Sequence, residues 1–238
     1  GRIIVEMLPE IAPAHVQRIK ELTGSGFYDG RAFFRVIDNF MDQTGDPQDD
    51  GTGGSDKPDL VQEFLFRLGQ DSGFVQAADQ NVSQVGFIKS VPVMSQSPML
   101  MAMTADGRIS AWPLYCPGVA AMARAQDPDS ANSQFFLMRQ AYPALDKRYT
   151  VWGRVVSGLD VVRALKASPN PDGIVDGPDQ MTRVRVAADL PTAERPSLQV
   201  LNTASATFHT IVEQARQARG ADFSVCDIEI PSRETPAA

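Results

Sequence analysis

Cysteine and histidine are nearly absent, with two of each in 238 residues. Cys116 and Cys226 lie far apart and form no CxxC pair, which excludes a zinc ribbon or a thioredoxin-like redox motif. His15 and His209 fall in separate predicted helices, where packing or surface roles explain them better than metal ligation does. No apolar run approaches the roughly 20 residues that a membrane-spanning helix needs. The greasiest stretch, VPVMSQSPMLMAM, is broken by Pro92, Gln96 and Pro98. Positive charge is short as well: 22 Lys and Arg face 29 Asp and Glu, a net charge of −7, which argues against nucleic acid or anionic lipid as a main partner. The glycine-rich DDGTGGSDKPD lacks the Lys-Ser/Thr of a P-loop, and Lys57 stands where an EF-hand needs its bidentate glutamate. It reads as a solvated turn. Ser133 sits in no G-x-S-x-G elbow, so a hydrolase reading fails too. No cofactor or metal is expected.

What is present is enough for a sizeable core. At 238 residues and 43% hydrophobic content the chain suits one large domain or a domain with additions. GRIIVEMLP opens as a strand and carries no initiator methionine. The sequence is therefore expected to begin inside the natural chain, which leaves room for a removed signal peptide. Pro13 is placed to open a helix carrying Val16, Ile19 and Leu22 at helical spacing, with Gly24 or Gly26 to end it. FYDG supplies an Asp-Gly turn, and two short strands follow around Asp38-Asn39. Residues 65–117 are amide- and methionine-rich with no sustained period, and are expected to be a structured but irregular insertion. VAAMARA, SQFFLM and YTVWGRVVSG read as strands, LDVVRALK as a short helix, and TRVRVAADL as a last strand. Beyond Pro191, Phe208, Ile211, Val212 and Ala215 form a helical stripe ended by Gly220, and FSVCDIEI alternates as a strand. An extension this small cannot build its own core, so it is expected to pack on the main body.

One stretch asks for chemistry. In FFRVIDNFMDQTGDP, Arg35 stands among Phe33, Phe34, Val36, Ile37, Phe40 and Met41, with Gln43 just beyond. A buried, unpaired guanidinium is costly, so a positive donor fixed beside apolar side chains needs a reason.

At that stretch, at AAMARAQDPDSANSQFFLM and at ALDKRYTVWGRVVSGLDVV, the chain resembles the cyclophilins, the peptidyl-prolyl cis-trans isomerases. The family usually shows Phe-His-Arg-Val-Ile, Phe-Met-x-Gln-Gly-Gly-Asp, a Met-Ala segment, Ser-Gln-Phe-Phe and Leu-Asp-Gly-x-x-x-Val-Phe-Gly. Order and spacing match over Gly1–Glu63 and Val119–Leu190, leaving the insertion and the tail uncovered. The resemblance implies a mostly β fold: a closed eight-stranded antiparallel barrel capped by two helices, here with an irregular insertion and a C-terminal helix-strand extension. The domain would run over residues 1–190, with residues 191–238 packed on it.

The implied activity is rotation about X-Pro bonds in unfolded or flexible chains, assisting folding. The alternative is a catalytically weak module that binds proline segments or acts as a chaperone. Carried over residue by residue, Arg35 donates to the proline nitrogen. Phe40, Met41, Phe136 and Leu145 line the proline pocket. Gln43 and the main chain near Arg124 grip the substrate backbone, Ala123 and Gln134 complete the groove, and Tyr149 walls it where many relatives have histidine. Taken singly, the apolar four would more often be ordinary core, and only their joint order carries the assignment. Phe34 replaces the usual histidine before the arginine, and Thr44 replaces a glycine. Ala144 stands where drug-sensitive relatives carry tryptophan, so weak cyclosporin binding is expected. Cys116 and Cys226 lie outside the family core. They either pair, clamping the tail to the insertion, or stay as two buried free thiols. Pairing would place the protein in an oxidising compartment, most simply a bacterial periplasm, and free thiols would fit the cytoplasm.

Overall fold

The computed structural model describes residues 1–80 and 83–234. The chain opens with β1 (Ile4–Met7), α1 (Pro13–Gly24), β2 (Arg35–Ile37) and β3 (Met41–Thr44). Strands β4 (Phe66–Leu68), β5 (Phe74–Gln80), β6 (Ser83–Ile88), β7 (Val91–Ser95) and β8 (Ile109–Pro113) follow. Next come β9 (Val119–Met122), β10 (Phe135–Met138), β11 (Val151–Ser157) and α2 (Leu159–Ala164). The tail holds β12 (Leu198–Val200), α3 (Ala206–Arg219) and β13 (Ser232–Glu234). Among the described residues no helix is long and apolar enough to cross a membrane.

A six-stranded antiparallel sheet, in the order β1-β11-β9-β10-β3-β2, carries the architecture. Successive side chains of a strand point to opposite faces, and here both faces are covered. Phe135 and Leu137 of β10 join Val16, Ile19 and Leu22 of α1, Trp152 of β11 and Val162 of α2 in one cluster. Phe136 and Met138 join Met41, Val119, Ala121 and Val151 in another, on the opposite face. This explains why FFLM of β10 and VAAM of β9 are apolar at every position rather than at alternate ones. The outer edge of β2 is partly closed by bridges from Arg35 to Ile174 and from Ala32 to Gln180.

The second face is covered by the insertion, which differs from its expected form. Residues 66–113 build a five-stranded antiparallel sheet, β4-β8-β7-β6-β5. Pro92 and Pro113 each remove a ladder donor, and the β5–β6 register shifts between Gln76 and Ala78, so no regular period survives in the sequence. Leu68, Phe87, Val93, Ile109 and Trp112 pack into the same cluster as Phe136. The tail adds Phe208 and Val212 of α3, with Val225 and Ile228, to that cluster. Cys116, at the insertion's exit, is joined to Cys226 by a disulfide spanning 110 residues of sequence.

Two expected strands are corrected. TRVRVAADL forms no strand: Met181 pairs with the backbone of Gly30 and Arg31, while Val184 N donates to the Asp29 carboxylate. FSVCDIEI is a short 3-10 turn over Val225–Asp227, closed by Ser224 Oγ accepting from Cys226 N and by Asp227 accepting from Ser224 N. Local side-chain bonds to the backbone outcompete the strand there. β13 lies farther on and pairs with β12 instead.

A buried ion pair ties β3 to α2. Arg139, just past β10, reaches Asp42 Oδ1 at 3.1 Å and donates to the carbonyls of Arg163 and Leu165 at the end of α2. Burial outweighs the attraction of Arg139 and pushes the Asp42 carboxyl up to about 7. A carboxyl raised on folding holds its proton more tightly in the folded state, so its contribution is full below the unfolded value and declines as pH climbs towards about 7. Burial raises Asp146 as well, to about 6, with the same sign, so Asp42→Asn should shift the slope of melting temperature against pH between about pH 4.5 and 7.5 towards greater stability at the alkaline end without abolishing it. An unchanged slope in the variant would remove Asp42 as a source of it.

Candidate active site

Arg35 and Gln43 are cross-strand partners in the β2–β3 hairpin, and the alternation that buries Val36 and Asp42 turns both of them to the outer side. The guanidinium is gripped twice. Nε donates to the Asp172 carbonyl at 2.8 Å, and Nη1 to Gln43 Oε1 at 3.2 Å. Among the described residues Nη2 has no hydrogen-bond partner, and Arg35 remains half-buried. The arginine is not embedded in core; its fork is anchored on one side and free on the other.

The anchoring continues as a relay. Gln43 Nε2 donates to Gln134 Oε1 at 2.9 Å, and Gln134 Nε2 to the Gly53 carbonyl at 2.8 Å. Gly53 is placed by the loop that resembled a cation site: the Asp46 carboxylate accepts N–H bonds from Gln48, Asp50, Gly51 and Gly53. A Cβ on Gly53 would collide with that carboxylate, so glycine is required there. Gly173, at φ 82, likewise lets its loop pass against the Arg35 side chain while Asp172 presents its carbonyl.

Beside this polar row lies an apolar floor. Met41 and Phe136 are almost completely buried, and Phe40, Ala123, Leu145 and Tyr149 stand half-exposed around them in the same cluster. Phe136 faces Gln43 across the β3–β10 ladder. The Tyr149 ring meets Phe136 edge-on at 5.7 Å. Arg124 lies over the Tyr149 ring at 4.6 Å, and its Nε and Nη1 donate to the carbonyls of Arg148, Ala125 and Gln126. Its side chain is thus committed to the wall. Thr44 Oγ1 donates to the Ala32 carbonyl, so the departure from glycine adds a bond behind Gln43. Ala144 is exposed and carries no ring, while Trp112 of the insertion lies buried beneath Lys147. The ten carried-over residues are therefore brought together in one connected set of contacts.

Sequence reasoning missed three contributors: the Asp172 carbonyl, Tyr142, which packs on Phe40 at 4.6 Å, and Tyr115, which stacks on Phe136 at 6.2 Å. A backbone acceptor leaves no trace in residue identity, and Tyr115 lies at the unaligned end of the insertion.

Comparison with known proteins decides the family. The model described as "Cyclophilin type peptidyl-prolyl cis-trans isomerase/CLD" matches residues 1–186. The chain belongs to the cyclophilins. A probable peptidyl-prolyl cis-trans isomerase of Brucella suis is 35% identical over 201 residues, covering 79% of each chain. The crystal structure of the cyclophilin AquaCyp293 from Hirschia baltica superposes with a TM-score of 0.88 at 31% identity, covering 98% of this chain and 87% of that one. The insertion and the tail are thus included in a likeness to a solved cyclophilin. A Cryptosporidium parvum cyclophilin, crystallised in the presence of the dipeptide Ala-Pro, shares the fold at TM-score 0.52 and 17% identity, covering 78% of this chain and 92% of that one. This cyclophilin is a peptidyl-prolyl cis-trans isomerase. Such an enzyme breaks no bond. Amide resonance sets a barrier of roughly 18–20 kcal/mol, while cis and trans X-Pro differ by only about 0.5–1 kcal/mol, so catalysis means stabilising the twisted imide.

Proposed function

We propose that this cyclophilin holds X-Pro segments of unfolded or flexible polypeptides in the groove between Arg35 and Phe136 and assists slow folding steps. In the twisted imide the proline nitrogen loses conjugation and regains a lone pair. Arg35 Nη2 donates to it. The ring rests on Met41 and Phe136, walled by Phe40, Leu145 and Tyr149. Gln43, the Ala123–Arg124 main chain and Gln134 align the substrate backbone. The observation that carries this reading is the doubly anchored guanidinium with one edge left free beside a buried apolar floor, a donor pre-set for developing charge. The crystallisation of the Cryptosporidium cyclophilin in the presence of the dipeptide Ala-Pro accords with it. Titrating a proline-containing tetrapeptide into 15N-labelled protein tests it. Shifts should cluster at Arg35, Gln43, Ala123, Phe136 and Tyr149, and perturbation confined to the insertion would overturn the assignment.

Three further readings rest on the same scaffold. The six-stranded sheet, with its partly bridged β2 edge and the helices α1 and α2, is the principal arc of an eight-stranded closed barrel over residues 1–190, with residues 191–238 as an extension. The protein works in the periplasm of a bacterium, because a disulfide closing so long a loop suits an oxidising compartment. Cyclosporin binds weakly, since exposed Ala144 offers no indole and Trp112 is covered by Lys147. Inhibition of isomerisation should need micromolar drug or more, and a nanomolar constant would refute this.

A further inference from the structure

Tyr115 lies at the exit of the insertion, beside Cys116, in the stretch that no family motif covers. It is 2% exposed, yet its ring, hydroxyl and backbone polar groups all contact residues of the groove or of the loop that carries its walls. Its ring stacks on Phe136 with planes 23° apart and centroids 6.2 Å apart, on a ring that Tyr149 also meets edge-on. Its hydroxyl donates to the Tyr149 carbonyl at 2.8 Å. Its backbone N–H donates to Asp146 Oδ1 at 3.2 Å, and its carbonyl accepts from Tyr142 N at 2.8 Å.

The three polar bonds span one loop. Residues 142–149 carry Leu145 and Tyr149, both pocket walls, and Tyr142, whose ring packs on Phe40. Within that loop Leu145 N donates to the Tyr142 carbonyl, so the turn that presents Leu145 starts from the residue Tyr115 holds. A single buried side chain with its own backbone thus sets the start, middle and end of the loop, and backs the aromatic floor opposite it. The floor and three walls of the proline pocket are referenced to one residue.

We infer that Tyr115 is a positioning residue for prolyl isomerisation, fixing the width of the proline pocket by holding the 142–149 loop against Phe136. The inference rests on the assignment of Phe136, Leu145 and Tyr149 to that pocket. It also gives the insertion a catalytic consequence, since the chain reaches Tyr115 directly from β8 and is pinned one residue later by the disulfide.

Tyr115→Phe removes the hydroxyl alone and keeps the ring, its packing and the backbone bonds. Peptide isomerisation should lose about tenfold in kcat/KM, the size of one net hydrogen bond, with the loss residing in KM and kcat changing less than about twofold. A wider pocket weakens proline binding without touching Arg35. Phe136 ring resonances should shift in the free variant, a readout independent of turnover. A purely structural tyrosine would lower the melting temperature and leave KM, measured well below it, unchanged. KM within twofold of wild type in Tyr115→Phe overturns the inference. Phe136→Ala measured in parallel separates the two levels: if it too leaves KM unchanged, the pocket assignment has failed, and if it alone raises KM, only the role of Tyr115 has.

Discussion

Arg35→Ala should lower kcat/KM for a prolyl peptide by about 10²–10³-fold, the typical cost of losing one pre-set donor to a transition state. The loss should fall on kcat, because in the proposed groove the proline ring would rest on Met41 and Phe136 in either isomer. Arg35→Lys should recover little. A lysine keeps the charge but cannot donate to the Asp172 carbonyl and Gln43 Oε1 while aiming a further N–H outward, as the guanidinium fork does. The pair of variants separates charge from geometry: near-wild-type activity in the lysine protein would mean that a diffuse positive potential suffices. Protease-coupled or exchange-NMR assays read both. If Arg35→Ala retains wild-type kcat/KM, rotation is being driven elsewhere in the groove.

The second large effect is on stability. Replacing Cys116 and Cys226 by serine should cost about 4–5 kcal/mol in the chain-entropy model, because the bond spans 110 residues of sequence. For a chain of this length that corresponds to a melting temperature lower by roughly 10–15 °C. Urea unfolding of the double variant against the oxidised protein measures it. The tail should loosen first. Phe208 and Val212 of α3 share a cluster with Phe87 and Val93 of the insertion, and without the disulfide they are held there by packing and by the Arg216 Nη1 bond to the Ala77 carbonyl. Hydrogen exchange should accelerate across Ala206–Arg219 before it does in β9 and β10. A change below about 1 kcal/mol would mean that the unfolded chain is already restrained without the bond.

The strands that bear the site were readable because each is short, apolar and bounded by turn residues, as in FFRVIDNFMDQTG and SQFFLM. Their order in the chain also carried the family resemblance. The insertion was not readable as a sheet. Pro92, Pro113 and the β5–β6 register shift erase the alternation, and the faces are decided by contact with β9–β11 and α3 rather than by any local pattern. TRVRVAADL shows the reverse case: its alternation is real, but Asp29 captures Val184 N and Arg185 before a ladder can form.

Residue identity alone settled which groups are available: one arginine beside phenylalanines, two glutamines, and two cysteines outside the family motifs. Only the tertiary structure decided which way the arginine's fork faces and what backs the floor, because both depend on partners distant in sequence. Asp172 lies 137 residues from Arg35, and Tyr149 lies 34 from Tyr115. A hydrogen bond to a backbone carbonyl is indifferent to the side chain that carries it, so no reading of side chains along the chain could have named those contacts.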